Sequence, residues 1–96
     1  MSPPSRIVRF EPSKGFRRAY GKLSKRSQDR VKASLARAVA DLDDPLLRRH
    51  DLKGQLAGIT SLNPGGDLRI LCRIWNDPGG PVALLIDVGT HSQLYG

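Results

Sequence analysis

Apolar and polar positions change their period once along this chain, near Gly54. Before that point Phe16, Ala19, Tyr20 and Leu23 recur at three- and four-residue intervals, the spacing of one helical face. Val31, Leu35, Ala38, Val39 and Leu42 then form a second stripe, with Lys25, Arg26, Arg30, Lys32 and Arg37 turned elsewhere. Gly15 and Gly21 weaken the first helix, and Ser24 or Ser27 can cap the second. Asp44, which precedes Pro45, is pushed out of helical geometry and stops it. Ahead of the helices "RIVRF" (Arg6 to Phe10) is β-branched and aromatic and predicts a strand that Pro12-Ser13 breaks. After the charged connector "PLLRRHDLKG" the period is two. "AGITSLNPGG" gives a strand closed by a turn, "DLRILCRIWN" a second, "DPGG" a tight turn and "PVALLIDVGTH" a third. The order β-α-α-β-β-β predicts an α+β fold in which a basic helical hairpin packs on one face of an antiparallel-rich sheet.

Alternation also assigns faces. Leu68, Ile70, Cys72 and Ile74 share one side of their strand, and Val82, Leu84, Ile86 and Val88 one side of the last. Both sets are expected to face the helices together. A slip of one residue would turn either set to solvent, so only even-with-even pairings are allowed. A turn centred on Gly79 then pairs Asp67 with His91 and Arg69 with Gly89; a shift of two in the sum pairs Arg69 with His91. Either register sets Asp67, Arg69 and His91 on the face opposite the helices. The ending "DVGTHSQLYG" thus carries an imidazole to the end of a stiff strand on an uncovered face.

Ninety-six residues suffice for one core, so residues 1–96 are expected to form a single domain. The net charge of +7 is unevenly placed: residues 1–55 hold 14 Lys/Arg against 6 Asp/Glu, residues 56–96 hold 2 against 3. A positive field of this kind concentrates polyanions, which makes nucleic acid or an acidic protein the natural partner, against the plainer reading of a solvated basic surface. No run approaches the roughly 18 apolar residues of a membrane span, and "MSPPSRIVRF" lacks the apolar core of a signal peptide. The expected location is the cytoplasm, with no membrane partner. Cys72 is the single cysteine, and inside "LRILCRIW" it reads as a small buried hydrophobe rather than a nucleophile.

The second histidine, His50, lies in the connector among Arg48, Arg49 and Lys53. Cations near an imidazole favour its neutral form, the form a general base needs. If the connector crosses the sheet edge, His50, His91 and Asp67 converge. Two His and one Asp could bind zinc, but the surrounding positive charge opposes a cation and no cysteine pair supports it, so no metal is expected. "NPGGDL" lacks the lysine and following helix of a phosphate loop. Cleaving RNA through its own 2′-OH needs a base, a cation for the crowded phosphorane and an acid for the leaving 5′-oxygen. His50, His91, Asp67 and Arg69 supply these parts without a cofactor, and which histidine is the base stays open. Arg48, Arg49, Lys53 and Arg73 are candidate RNA contacts; Tyr95 either stacks on a base or packs the C-terminus.

The element order together with "HDLKG", "DLRILCRI" and "GTHSQLYG" resembles the RelE/ParE superfamily of bacterial toxins over about residues 6–96, most closely its RelE- and YafQ-like messenger RNA interferases. The resemblance implies a toxin of a type II toxin–antitoxin module that cuts mRNA at the ribosome and is held inactive by a cognate antitoxin. It matches His50, His91 and Asp67 to catalytic positions, Arg69 to an arginine at the start of its strand and Tyr95 to a C-terminal aromatic. The YafQ-like group has a further histidine where this chain has Ser61-Leu62-Asn63. A ParE-like toxin that inhibits DNA gyrase by binding shares the fold and is the alternative.

Overall fold

The computed structural model describes residues 6–95. Residues 1–5, part of the stretch read above for a signal peptide, and Gly96 lie outside the described residues. The elements are β1 (Arg9–Pro12), α1 (Lys14–Gly21), α2 (Lys25–Ala40), β2 (His50–Asp51), β3 (Thr60–Gly65), β4 (Leu68–Asp77), β5 (Gly80–Thr90) and α3 (His91–Tyr95). Single 3₁₀ turns at Pro45–Leu47 and Gly54–Leu56 flank β2. The sheet order is β1-β5-β4-β3-β2; β1 runs parallel to β5 and every other pair is antiparallel. Both long helices lie on one sheet face, α1 against β5 and α2 against β3. This is the expected α+β architecture. No helix among the described residues is long and apolar enough to cross a membrane.

The helix starts follow from two serines. Ser13 Oγ accepts from the Phe16 amide at 3.0 Å, and Ser24 Oγ accepts from the Ser27 amide at 3.1 Å. Ser24 is therefore the cap of α2, and Ser27 lies inside it. The buried stripe of α2 differs from the expected one. Val31, Ser34 and Ala38 are buried, whereas Val39 is 47% exposed. At about 100° per residue Val39 lies roughly 80° around the helix from Val31, outside the seam that the sheet closes.

The first strand also differs from expectation, starting at Arg9 rather than Arg6. The Ile7 amide instead donates to the Ala38 carbonyl at 3.2 Å, one of the α2 C-terminal carbonyls left without an intrahelical partner. Ile7 is buried there and joins the core.

The largest correction concerns β5. Near the site Arg69 pairs with Gly89 and Ile70 with Val88, as in the first register predicted. Beyond Leu71–Asp87 the register shifts, and Cys72 pairs with Leu85 and Ile74 with Ala83. Ile86 is the extra residue, so the helix-facing set on β5 is Ala83, Leu85 and Val88 instead of Val82, Leu84, Ile86 and Val88. Its carbonyl accepts from Ser13 Oγ at 2.9 Å, while the Leu85 carbonyl accepts from the Ser13 amide at 2.9 Å. The serine that caps α1 thus also closes the bulge.

Leu47, Leu62, Ile70, Val31 and Cys72 are fully buried at the centre of the core. Burial pushes the Cys72 thiol up to about 12, and its Sγ donates to the Thr60 carbonyl at 3.5 Å. The folded state keeps this proton when an unfolded chain, with a thiol pKa of 9.0, releases it. Its contribution is therefore full below that pH and lost as pH rises towards the folded value. Cys72 should resist thiol-labelling reagents until the protein unfolds, and denaturation between roughly pH 9 and 12 should show a shallower loss of stability in Cys72→Ala than in the native chain.

Candidate active site

The face of β4 turned away from the helices begins with Arg69, and the chain secures this arginine from both ends of the β3–β4 turn. Asn63 Oδ1 accepts from the Gly65 amide at 3.0 Å, and Gly66 takes a left-handed φ of 57° that lets the chain reverse. The Gly66 carbonyl then accepts from Arg69 Nη1 at 3.1 Å, and the Leu68 carbonyl accepts from the same nitrogen at 2.9 Å. Nε and Nη2 make no hydrogen bond among the described residues, which leaves one edge of the guanidinium free. On the other side of the turn the Arg30 side chain packs against Gly65 and Gly66.

His91 is placed by a short helix rather than by a strand end. The Thr90 amide donates to Gln93 Oε1 at 2.8 Å, and the Gln93 amide donates to Thr90 Oγ1 at 3.3 Å. This reciprocal pair is a capping box, with His91 as the first residue of α3. The spacing Thr-His-Ser-Gln is its signature and was present in the sequence. The His91 amide donates to the Asp67 carbonyl at 3.1 Å, and the His91 ring lies 4.6 Å from that of Tyr95, one turn on and tilted by 58°. Gly89 leaves room beneath the box: a Cβ there would lie 2.9 Å from Gln93 Oε1, and that amide would have to shift from its bond to Thr90.

His50 arrives from the opposite edge. It pairs with Ser61 across β2–β3, and Ser61 pairs in turn with Leu71 of β4, so all three project to the site face. His50, Ser61, Arg69, His91 and Tyr95 line one concavity of about 360 Å³, walled by Leu52, Lys53 and Leu56. Sequence reasoning missed Leu52 and Leu56, because their position depends on how the connector folds. A larger hollow of about 410 Å³ lies between α1 and α3, but it contains no histidine.

The expected constellation is thus assembled in part. His50, Arg69, His91, Lys53 and Tyr95 meet, whereas the Asp67 side chain is exposed and outside the lining. Asp67 reaches His91 through its backbone carbonyl because the predicted cross-strand pair ends in a helix start. Arg48, with φ of 49°, lines a separate groove with Arg37, and Arg49 lies 4.0 Å from Asp43. Arg73 lies further along β4, next to Gly58. Of Ser61-Leu62-Asn63 only Ser61 enters the site; Leu62 is core and Asn63 holds the turn. Among the described residues the lining has two fixed cations, Lys53 and Arg69, and no carboxylate side chain. A cleft of this charge attracts an anion, and its two imidazoles can take and give a proton across it.

The fold defined by this sheet and its helix pair is that of the RelE/YafQ-like toxins. YafQ from E. coli superposes with a TM-score of 0.76 at 15% identity, over 91% of this chain and 97% of that one. The YoeB/ParE toxin from Agrobacterium tumefaciens gives 0.73 at 16%, over 88% and 99%. A chain of the RelBE2 toxin–antitoxin complex from Mycobacterium tuberculosis gives 0.61 at 27%, over 95% and 97%. No protein-family model matches the sequence, and no curated protein matches it in sequence.

The capping box makes a local prediction. Thr90→Val and Gln93→Leu each remove one of its two bonds, at a cost of about 1 kcal/mol to α3. Amide hydrogen exchange should accelerate at residues 90–95 while the protection of β4 stays unchanged.

Proposed function

We propose that this protein is the toxin of a type II toxin–antitoxin pair and that it is a metal-independent endoribonuclease acting on mRNA at the ribosome. The observation that carries the reading is the convergence of His50, Arg69 and His91 on one concavity. The toxin fold supports the class, and the site's chemistry supports the reaction.

In this reading a phosphodiester enters between the two imidazoles. One accepts the 2′-OH proton as that oxygen attacks phosphorus, and the other donates a proton to the departing 5′-oxygen. A 2′,3′-cyclic phosphate and a free 5′-hydroxyl result. The unbonded edge of the Arg69 guanidinium faces the developing charge on the phosphorane oxygens, with Lys53 as a second cation. Tyr95 braces the His91 ring and offers a face on which a base stacks. Asp67 acts through its carbonyl, which fixes the His91 backbone, rather than through its carboxylate. Arg48, Arg49 and Arg73 lie outside the concavity and contribute contacts to RNA at longer reach. The basic first half of the chain suits an acidic antitoxin segment that folds on binding, its charge pairs offsetting the cost of ordering.

Expression without the antitoxin should arrest growth and yield cuts inside translated messages, mapped as new RNA ends; arrest with DNA damage and intact messages would support gyrase inhibition instead. In single-turnover cleavage His91→Gln should lower the rate roughly 100-fold or more. Arg69→Lys keeps the charge without the fork, so binding should outlast catalysis. Asp67→Ala should retain the rate within a few-fold, and a loss as large as that of His91→Gln would return the carboxylate to the mechanism. Antitoxin binding by each variant checks that it is folded.

A further inference from the structure

The face of β4 that carries Arg69 continues well past the concavity. Residues alternate along the strand, so Leu71, Arg73 and Trp75 share that face with Arg69. Leu71 is 6% exposed, Arg73 is exposed, and Trp75, the only tryptophan in the chain, is 36% exposed. Six residue steps from Arg69 to Trp75 span about 20 Å. Trp75 Nε1 donates to Asp77 Oδ1 at 3.1 Å, which holds the ring in place. Val82, paired with Trp75 on one side and with Arg9 on the other, is fully buried between them.

We propose that this row is a track for single-stranded RNA leading out of the concavity, in which Arg73 binds a phosphate and Trp75 stacks a base. The proposal rests on the ribonuclease reading and extends it to the substrate's flanking nucleotides. A cation followed two residues later by an aromatic, on a rigid open strand, answers the two chemical features of such a strand, its charge and its π faces. An acidic peptide shares only the charge. The track also has an end. Arg9 lies 3.1 Å from Glu11 and 3.2 Å from Asp77, so the group beyond Trp75 carries one more negative than positive charge and repels a further phosphate. Covering Val82 accounts for an apolar residue at position 75 but not for an aromatic one, and the two roles separate experimentally.

The probes are 2′-O-methyl oligonucleotides, which lack the attacking hydroxyl and bind without being cut. An oligonucleotide of about eight nucleotides should quench Trp75 emission, and one of about three, long enough for the concavity alone, should not. Trp75→Leu keeps the cover over Val82 without a π face and should weaken the longer oligonucleotide roughly tenfold, with the shorter unchanged. Trp75→Phe should recover most of that loss, and Arg73→Ala should reduce the salt dependence of the longer one by about one charge. Binding of the longer oligonucleotide with unaltered emission and equal affinity for Trp75→Leu would overturn the track. Cleavage of unmodified RNA by the native protein reads the parent proposal separately: cutting without quenching removes only the track, and no cutting with no binding removes both. Quenching by polyglutamate as strong as by RNA would overturn RNA as the occupant.

Discussion

One unpaired residue, Ile86, sets the relation between the core and the site. The β4–β5 ladder is the longest in the molecule, and along it the two strands must each present apolar side chains to the helices. Without the insertion, the register that pairs Arg69 with Gly89 would turn Leu85 and Ala83 away from α1. With it, one part of the ladder holds the site register and the other the core register. The freed carbonyl of Ile86 needs a donor, since a buried and unpaired carbonyl is costly, and Ser13 supplies it at the start of α1. The start of α1 and the change from site register to core register therefore meet at the same local irregularity.

The charge asymmetry takes on a structural meaning in this frame. Most cations of the first half lie on the helices and connector, yet the concavity draws on both halves, with His50 and Lys53 from one and Arg69 and His91 from the other. The short β2 strand makes this possible. Its two residues suffice to fix His50 against Ser61 and to tie Asp51 to Thr60, whose hydroxyl donates to the Asp51 carboxylate at 3.0 Å. That carboxylate is thereby held on the opposite sheet face from His50, and the site keeps its positive character.

Much of this was legible in the sequence. The change of period near Gly54 located the helices and three of the strands, and turn residues gave the hairpins. One of the two registers that the alternation allowed pairs Arg69 with Gly89, as found, and His50 and His91 were brought together on chemical grounds. The bulge was not legible because Leu84, Leu85 and Ile86 are all apolar, and three consecutive apolar residues carry no parity. Val39 was misplaced because a helical stripe is wider in sequence than the seam a sheet covers. The contact between Asp67 and His91 took another form for a different reason: His91 was read as the end of a strand but begins α3, and what joins the two residues is the bond from the His91 amide to the Asp67 carbonyl.

The length of α3 has a consequence for how the site is held. Five residues make less than two turns, too few to be stable as an isolated helix, and the element has no buried residue of its own. What keeps it closed is its capping box, the His91–Tyr95 contact and its lie on β5. Such a segment opens at a free energy far below that of global unfolding, with the sheet intact. One of the two imidazoles is thereby mounted on an element too short to stand alone and the other on a sheet edge, so the population in which both line the concavity is set by a local equilibrium rather than by the stability of the fold.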